Sequence, residues 1–201
     1  MRVTIKPHIH TALFFLLISL AGASCAQIPE IERDALVALY NSTDGANWTD
    51  NTGWLGEADT ECSWYGVTCS DGNPVSLRLQ SNSLIGSIPA ELGNLTNLTS
   101  LLLDNNTLTG SIPASLGNLT KLTGLYLYNN SLSGSIPAEL GNLTKLTGLY
   151  LYDNSLSGSI PTQLGNLTNL TSLLLNNNTL SGNIPAELGN LTKLTGLYLF
   201  D

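Results

Sequence analysis

Few residues in this sequence have the side chains that catalysis requires. Histidine occurs only at His8 and His10, so the rest of the chain has no imidazole for proton transfer or metal binding. Asp104 and Asp153 are the carboxylates that could act as a pair, at roughly 10 Å if they lie two strands apart, which some glycosidases tolerate. No nucleophile elbow and no phosphate-binding glycine loop accompanies them. We therefore predict no enzyme, no catalytic residue, no metal and no cofactor.

Aromatic side chains indicate a binding surface instead. Four tyrosines fall at equivalent positions of a repeated pattern and would form a two-by-two patch, about 4.8 Å across strands and about 6.6 Å along them. Exposed tyrosine gives a large contact area with a polar tip, which suits protein, peptide or sugar partners. Alternatively, the rings only stack across strands and stabilise the sheet. The predicted ligand-binding residues are Tyr126, Tyr128, Tyr150, Tyr152, Tyr198, Phe200, Asp104, Asn105, Asn129 and Asp153.

A 24-residue repeat must position these side chains. One copy reads LYLYNNSLSGSIPAELGNLTKLTG from Leu125 to Gly148. Its leading residues alternate between apolar and exposed positions, as in a strand with one buried face. No single repeat could bury its leucines, so successive repeats must stack. The first leucine of each repeat recurs at Leu77, Leu101, Leu125, Leu149, Leu173 and Leu197.

The pattern L-x-L-x-x-N-x-L followed by x-G-x-I-P-x-x-L-G-N-L resembles the plant-type class of the leucine-rich-repeat superfamily. The resemblance covers residues 77–201, as five full repeats and a truncated sixth. It implies an α/β solenoid, a right-handed superhelix with a concave parallel β-sheet that carries the ligand. It also implies a structural role for one asparagine column, whose buried amides would bond the backbone. That column is Asn82, Asn106, Asn130, Asn154 and Asn178.

Residues 27–76 precede the repeats and differ from them. Ile31, Ala35, Leu36, Leu39 and Tyr40 recur at helical spacing and predict an amphipathic helix. The segment CSWYGVTC matches the C-x-W-x-G-V-x-C signature of the N-terminal cap in the same family. In an exported protein, its even cysteine pair predicts a disulfide between Cys62 and Cys69, and the family resemblance implies the same pairing. A cap is needed because the first repeat would otherwise expose its core.

Residues 1–26 have the features of a secretory signal peptide. Arg2 and Lys6 precede a short apolar core, which is too short for the roughly 20 residues of a membrane span. Small residues then allow cleavage after Ala26. A second interpretation is lipidation at Cys25 in a lipobox-like sequence, which would anchor the protein to a membrane. Either route predicts a secreted or cell-surface location.

The net charge of the chain restricts the classes of partner that it could bind. Without the leader, five basic residues face fifteen acidic ones, a net charge of about −10, which disfavours nucleic acids and anionic membranes. We predict a non-catalytic protein- or peptide-binding scaffold, part of a longer receptor-like or adhesin-like protein. Twelve N-x-S/T sequons would carry glycans in a eukaryote.

Two alternatives to that function stay open. One is a secreted inhibitor of a cell-wall-degrading enzyme or a carbohydrate binder. The other is an ice-binding protein, because threonine also recurs in a regular column. That column is Thr99, Thr123, Thr147, Thr171 and Thr195.

Overall fold

The computed structural model describes residues 27–199. The predicted signal peptide, the lipidation site at Cys25 and the predicted binding residue Phe200 therefore lie outside the described residues. The domain boundaries at 26 and 76 remain predictions.

The cap begins with helix α1, Glu30–Ser42. Ala35, Leu36 and Leu39 are fully buried, as predicted. The prediction for Ile31 was wrong, because its side chain is 57% exposed and Glu32 is buried instead. On an α-helix, position 32 lies near the centre of the stripe through positions 35, 36 and 39, whereas position 31 lies at its border.

A tryptophan cluster and a disulfide close the cap. Trp48 and Trp54 pack edge to face with ring centroids 4.8 Å apart, and Trp64 follows Trp54 at 5.0 Å. Cys62 and Cys69 form the predicted disulfide, with a Cα–Cα distance of 5.5 Å. Cys69 lies on strand β1, Val67–Ser70, which pairs antiparallel with β2, Asn73–Arg78. The cap is thus joined to the repeats through the sheet as well as through its core.

The concave sheet has seven strands, and every strand after β2 pairs parallel with its predecessor in the sheet. Its register aligns the leading leucines, Leu77 with Leu101 and so on to Leu197. This confirms the predicted solenoid. Beyond β1 and β2, its strands are β4 Ser100–Leu102, β6 Gly124–Tyr126, β8 Gly148–Tyr150, β10 Ser172–Leu174 and β12 Gly196–Tyr198.

The side of the solenoid opposite the concave sheet has short strands that the repeat pattern did not predict. They form a two-stranded and a three-stranded sheet. These strands are β3 Ile85–Ser87, β5 Thr107–Thr109, β7 Ser133–Gly134, β9 Ser155–Gly158 and β11 Thr179–Leu180.

Short 3-10 helices return the chain to the next concave strand. Each helix of the repeats starts directly after a proline, whose fixed φ suits the first turn. Two more lie in the cap. The helices are Gly45–Asn47, Glu61–Ser63, Ala90–Asn94, Ala114–Asn118, Ala138–Asn142, Thr162–Asn166 and Ala186–Asn190.

The asparagine column has the structural role that was predicted. The Asn130 amide donates to the carbonyls of Leu103, Leu127 and Tyr128 and accepts from the Leu108 N–H. Asn106, Asn154 and Asn178 make the same pattern of bonds. Asn82 differs, because its amide pairs with the backbone of Asp50 in the cap. The column therefore ties adjacent repeats together and ties the first repeat to the cap.

Candidate functional site

The four central tyrosines form two stacked pairs on the concave sheet, which we call the tyrosine ladder (Tyr126, Tyr128, Tyr150 and Tyr152). The Tyr126 and Tyr150 rings lie 4.7 Å apart and nearly parallel, at 9°. The Tyr128 and Tyr152 rings lie 4.5 Å apart at 7°. Each ring is half-buried, and one face of each ring is covered by its partner while an edge remains exposed. The predicted patch is therefore a compact stack and not four independent rings.

Glycines under the first pair allow this arrangement. The Tyr126 ring lies over the backbone of Gly124, where an added Cβ would come within 2.7 Å of the ring. The Tyr150 ring lies over Gly148 in the same way, at 2.5 Å. On β4 and β10 the equivalent residue is serine and the following outward residue is leucine. Gly-x-Tyr thus occurs on β6, β8 and β12 and Ser-x-Leu on β4 and β10, a signal in the sequence that the prediction did not use.

Asp104 corrects the prediction of an exposed acidic edge. Its side chain is only 3% exposed, because it lies beside the larger rings of the next strand. The Asn105 amide donates to the Asp104 carboxylate at 2.7 Å. The Asn129 side-chain amide in turn donates to Oδ1 of Asn105 at 2.8 Å. Asp104 therefore lies buried beside the ladder, while Asn105 and Asn129 are the exposed members of this polar edge.

Asp104 also alters the acidity of the ladder. Burial, followed by the hydrogen bond and negative charge of Asp104, raises the pKa of Tyr128 to about 12. Burial and the charge of Asp153 raise the pKa of Tyr152. Burial is also the main cause of the raised pKa of Tyr126. These phenols stay protonated at physiological pH, and the Tyr128 hydroxyl donates to the Asp104 carboxylate.

Asp153 occupies the other end of the polar edge. It is half-buried and accepts a hydrogen bond from the Asn177 amide at 2.5 Å. Since Asp104 is buried, the two carboxylates do not share one open cleft, which removes the main argument for glycosidase chemistry. Within the described range 27–199, no cluster of three or more His, Cys, Asp or Glu side chains could hold a metal ion.

Tyr198 lies apart from the ladder. It is on β12, next to Leu174 of β10, and its side chain is 59% exposed. Leu197 beside it is also exposed, at 45%. Tyr198 is thus on the predicted face but belongs to no stacked pair in the described part of the chain.

The threonine column that suggested ice binding is exposed but already bonded. The hydroxyl of Thr123 donates to the carbonyl of Thr99, and Thr147, Thr171 and Thr195 repeat this bond. Each hydroxyl donor is therefore used to join adjacent repeats. The column gives no support to the ice-binding alternative.

This chain is similar in sequence to a receptor protein. A leucine-rich repeat receptor protein kinase of Arabidopsis thaliana, EMS1, is 50% identical over 90 residues, which are 44% of this chain and 7% of that protein. The chain therefore spans a small part of the length of this curated relative.

Solved structures show the same relationship. The PEPR1–AtPEP1 structure superposes with a TM-score of 0.79 at 35% identity, over 84% of this chain and 25% of that one. The Arabidopsis receptor kinase HAESA ectodomain, solved with an IDA peptide hormone, superposes with a TM-score of 0.64 at 36% identity, over 84% of this chain and 32% of that one.

Among the described residues, no helix has both the length and the apolarity to cross a bilayer. The profile of the leucine-rich repeat region matches residues 75–201, which include all the strands of the ladder. This chain belongs to the leucine-rich-repeat family.

Proposed function

We propose that this chain is a non-catalytic, extracellular binding module of a receptor-like protein, which recognises a peptide or protein segment on its tyrosine ladder. The observation that carries the proposal is the ladder itself, four half-buried rings held on adjacent strands of the concave sheet. Tyrosine is enriched among the residues that dominate binding energy at protein interfaces. The relatives support the proposal, because the HAESA ectodomain structure contains a peptide hormone and EMS1 is a receptor kinase.

The stacking favours a peptide over a carbohydrate. A sugar packs best on the open face of an aromatic ring, whereas one face of every ladder ring is covered by its neighbour. The free edges carry hydroxyls, and polar side chains lie beside them, Asn129 just beyond β6 and Asn105 just beyond the neighbouring β4. Such edges suit the carbonyls and N–H groups of an extended peptide.

The negative charge of the chain further restricts the class of peptide that it could bind. The chain without its leader has a net charge of about −10, and Asp153 borders the ladder. Complementary charge speeds association and suppresses like-charged partners. We therefore expect a neutral or basic peptide, and no nucleic acid.

A displayed library of random peptides tests this proposal. The chain is immobilised and the peptides that bind it are selected. One selected peptide is then synthesised, and its affinity is measured for the wild-type protein and for the double variant Tyr126→Ala with Tyr150→Ala. We expect the double variant to lose at least about 30-fold in affinity, since a hot-spot residue contributes roughly 2 kcal/mol or more.

The control is Tyr65→Ala, which removes an exposed cap tyrosine outside the ladder and should leave the affinity unchanged. Equal binding by the ladder variant and wild type would mean that the ladder only stabilises the sheet. A library of immobilised oligosaccharides, examined in parallel, identifies the carbohydrate alternative if binding occurs there and not to peptides.

A further inference from the structure

The first described residues hold the start of the chain in a defined place. Gln27 is exposed, whereas Ile28 is buried at 6% exposure and Pro29 precedes the first turn of α1. The chain is therefore anchored one residue after Gln27. Cleavage after Ala26, which the leader predicts, would make Gln27 the first residue of the exported protein.

The surface around Gln27 does not need a charged terminus. Glu61, the buried carboxylate nearby, is already paired with Arg33, and the Arg33 guanidinium also donates to the Gly56 and Glu57 carbonyls. A recess of about 270 Å³ surrounds the site. Its lining residues are Gln27, Ile28, Glu30, Arg33, Ala58, Asp59 and Glu61.

Charges in this recess have both signs. Glu30 and Asp59 would attract an α-ammonium group, whereas Arg33 and the amino-terminal end of the 13-residue helix α1 would repel it. Arg33 already neutralises the buried Glu61 carboxylate, although within the described residues neither Glu61 oxygen accepts a hydrogen bond. Loss of that charge leaves the paired Arg33 and Glu61 as they are.

We propose that Gln27 is a modification site, and that the mature protein begins with pyroglutamate. The α-amine of Gln27 attacks the carbonyl carbon of its own side-chain amide, forms a five-membered lactam and releases ammonia. The reaction needs no oxidant, reductant or co-substrate. The lactam removes the terminal charge and protects the bond before buried Ile28 from aminopeptidases. The proposal rests on export of the chain and not on ligand binding, so it can fail while the proposed binding function holds.

Mass spectrometry of the secreted protein tests the proposal. The full 201-residue chain is expressed in a secreting host, free amines are labelled, and the protein is digested with trypsin, which cuts after Arg33. We expect the peptide of residues 27–33 to carry no label and to be lighter by one ammonia than its unmodified form. Pyroglutamyl aminopeptidase should then remove its first residue.

Two controls make the result decisive. Gln27→Ala places a small residue without a side-chain amide after the cleavage site, so it cannot cyclise and its first peptide should be labelled. An isotope-labelled synthetic copy of residues 27–33 with a free amine reports cyclisation caused by handling. A labelled wild-type peptide beginning at Gln27, a chain beginning at an acylated Cys25, or a retained leader would each overturn the proposal.

Discussion

Strands β6 and β8 differ from strands β4 and β10 in what they display, although all four share one backbone register. The first two read Gly-Leu-Tyr and the others Ser-Leu-Leu. The central leucine is fully buried in every case, so the core does not distinguish them. The difference lies in a glycine that lets a tyrosine ring lie flat and stack. The repeat thus sets the scaffold, and two residues per strand set the surface.

The largest expected effect comes from removing that glycine. Gly148→Ser places a side chain 2.5 Å from the Tyr150 ring, and the flexible ring must swing away from Tyr126. Affinity for a selected peptide should fall roughly 30-fold, the cost of about one hot-spot residue. Surface plasmon resonance measures this fall.

Gly189→Ser is the matched control, because nothing lies within 4 Å of a Cβ at that position. The two serine variants should have similar melting midpoints. If Gly148→Ser retains wild-type affinity, or if both variants lose it, the glycine does not position the ladder.

A second change breaks the scaffold that both kinds of strand share. Asn130→Leu removes four hydrogen bonds to backbone groups, two to the second repeat and two within the third. Unpaired buried groups should lower the free energy of unfolding by roughly 1–3 kcal/mol. Urea denaturation followed by circular dichroism measures the loss.

Asn142→Leu serves for comparison, since Asn142 is an exposed asparagine at the end of a 3-10 helix. It should unfold within about 0.5 kcal/mol of wild type. An unchanged unfolding midpoint for Asn130→Leu would contradict the structural role of the column.

The smallest effect concerns acidity within the ladder. Asp104→Asn removes the charge that helps to raise the pKa of Tyr128 to about 12, so the pKa should fall toward its ordinary value of 10.0 while burial keeps it above that value. Because the pKa of Tyr128 is higher in the folded chain than its ordinary value of 10.0, protonated Tyr128 stabilises the fold below pH 10. This contribution is lost as the pH rises through about 12. NMR titration of ring-labelled tyrosine follows each phenol separately.

Asp153→Asn is the paired variant, because the charge of Asp153 acts on Tyr152. It should lower the pKa of Tyr152 and leave that of Tyr128 nearly unchanged. Equal shifts of Tyr128 in both variants would show that Asp104 does not contact it specifically.

Much of the scaffold could be predicted from the sequence, because a strict period fixes which side chains face inward. The buried leucines, the asparagine column and the disulfide were all predicted correctly. The period does not determine how outward side chains pack on each other. Burial of Asp104 and stacking over Gly124 depend on ring orientations, which come from neighbours 24 residues away.

Errors in the cap have a similar origin. Apolar spacing predicted the helix correctly but placed Ile31 on the wrong side, since Glu32 accepts a hydrogen bond from Asn97 of the first repeats. Position 31 then faces solvent. A polar partner supplied by a distant segment cannot be read from the helix's own sequence.

The most direct test compares the two kinds of strand in one assay. Two double variants are compared, one with Tyr126→Ala and Tyr150→Ala and the other with Leu102→Ala and Leu174→Ala. Each variant truncates two outward residues at equivalent positions of the concave sheet. Isothermal titration of a selected peptide should show binding lost in the tyrosine variant and kept within about threefold in the leucine variant, since residues outside hot spots contribute little. Equal losses, or a loss in the leucine variant alone, would contradict the claim that the tyrosine ladder is the binding surface.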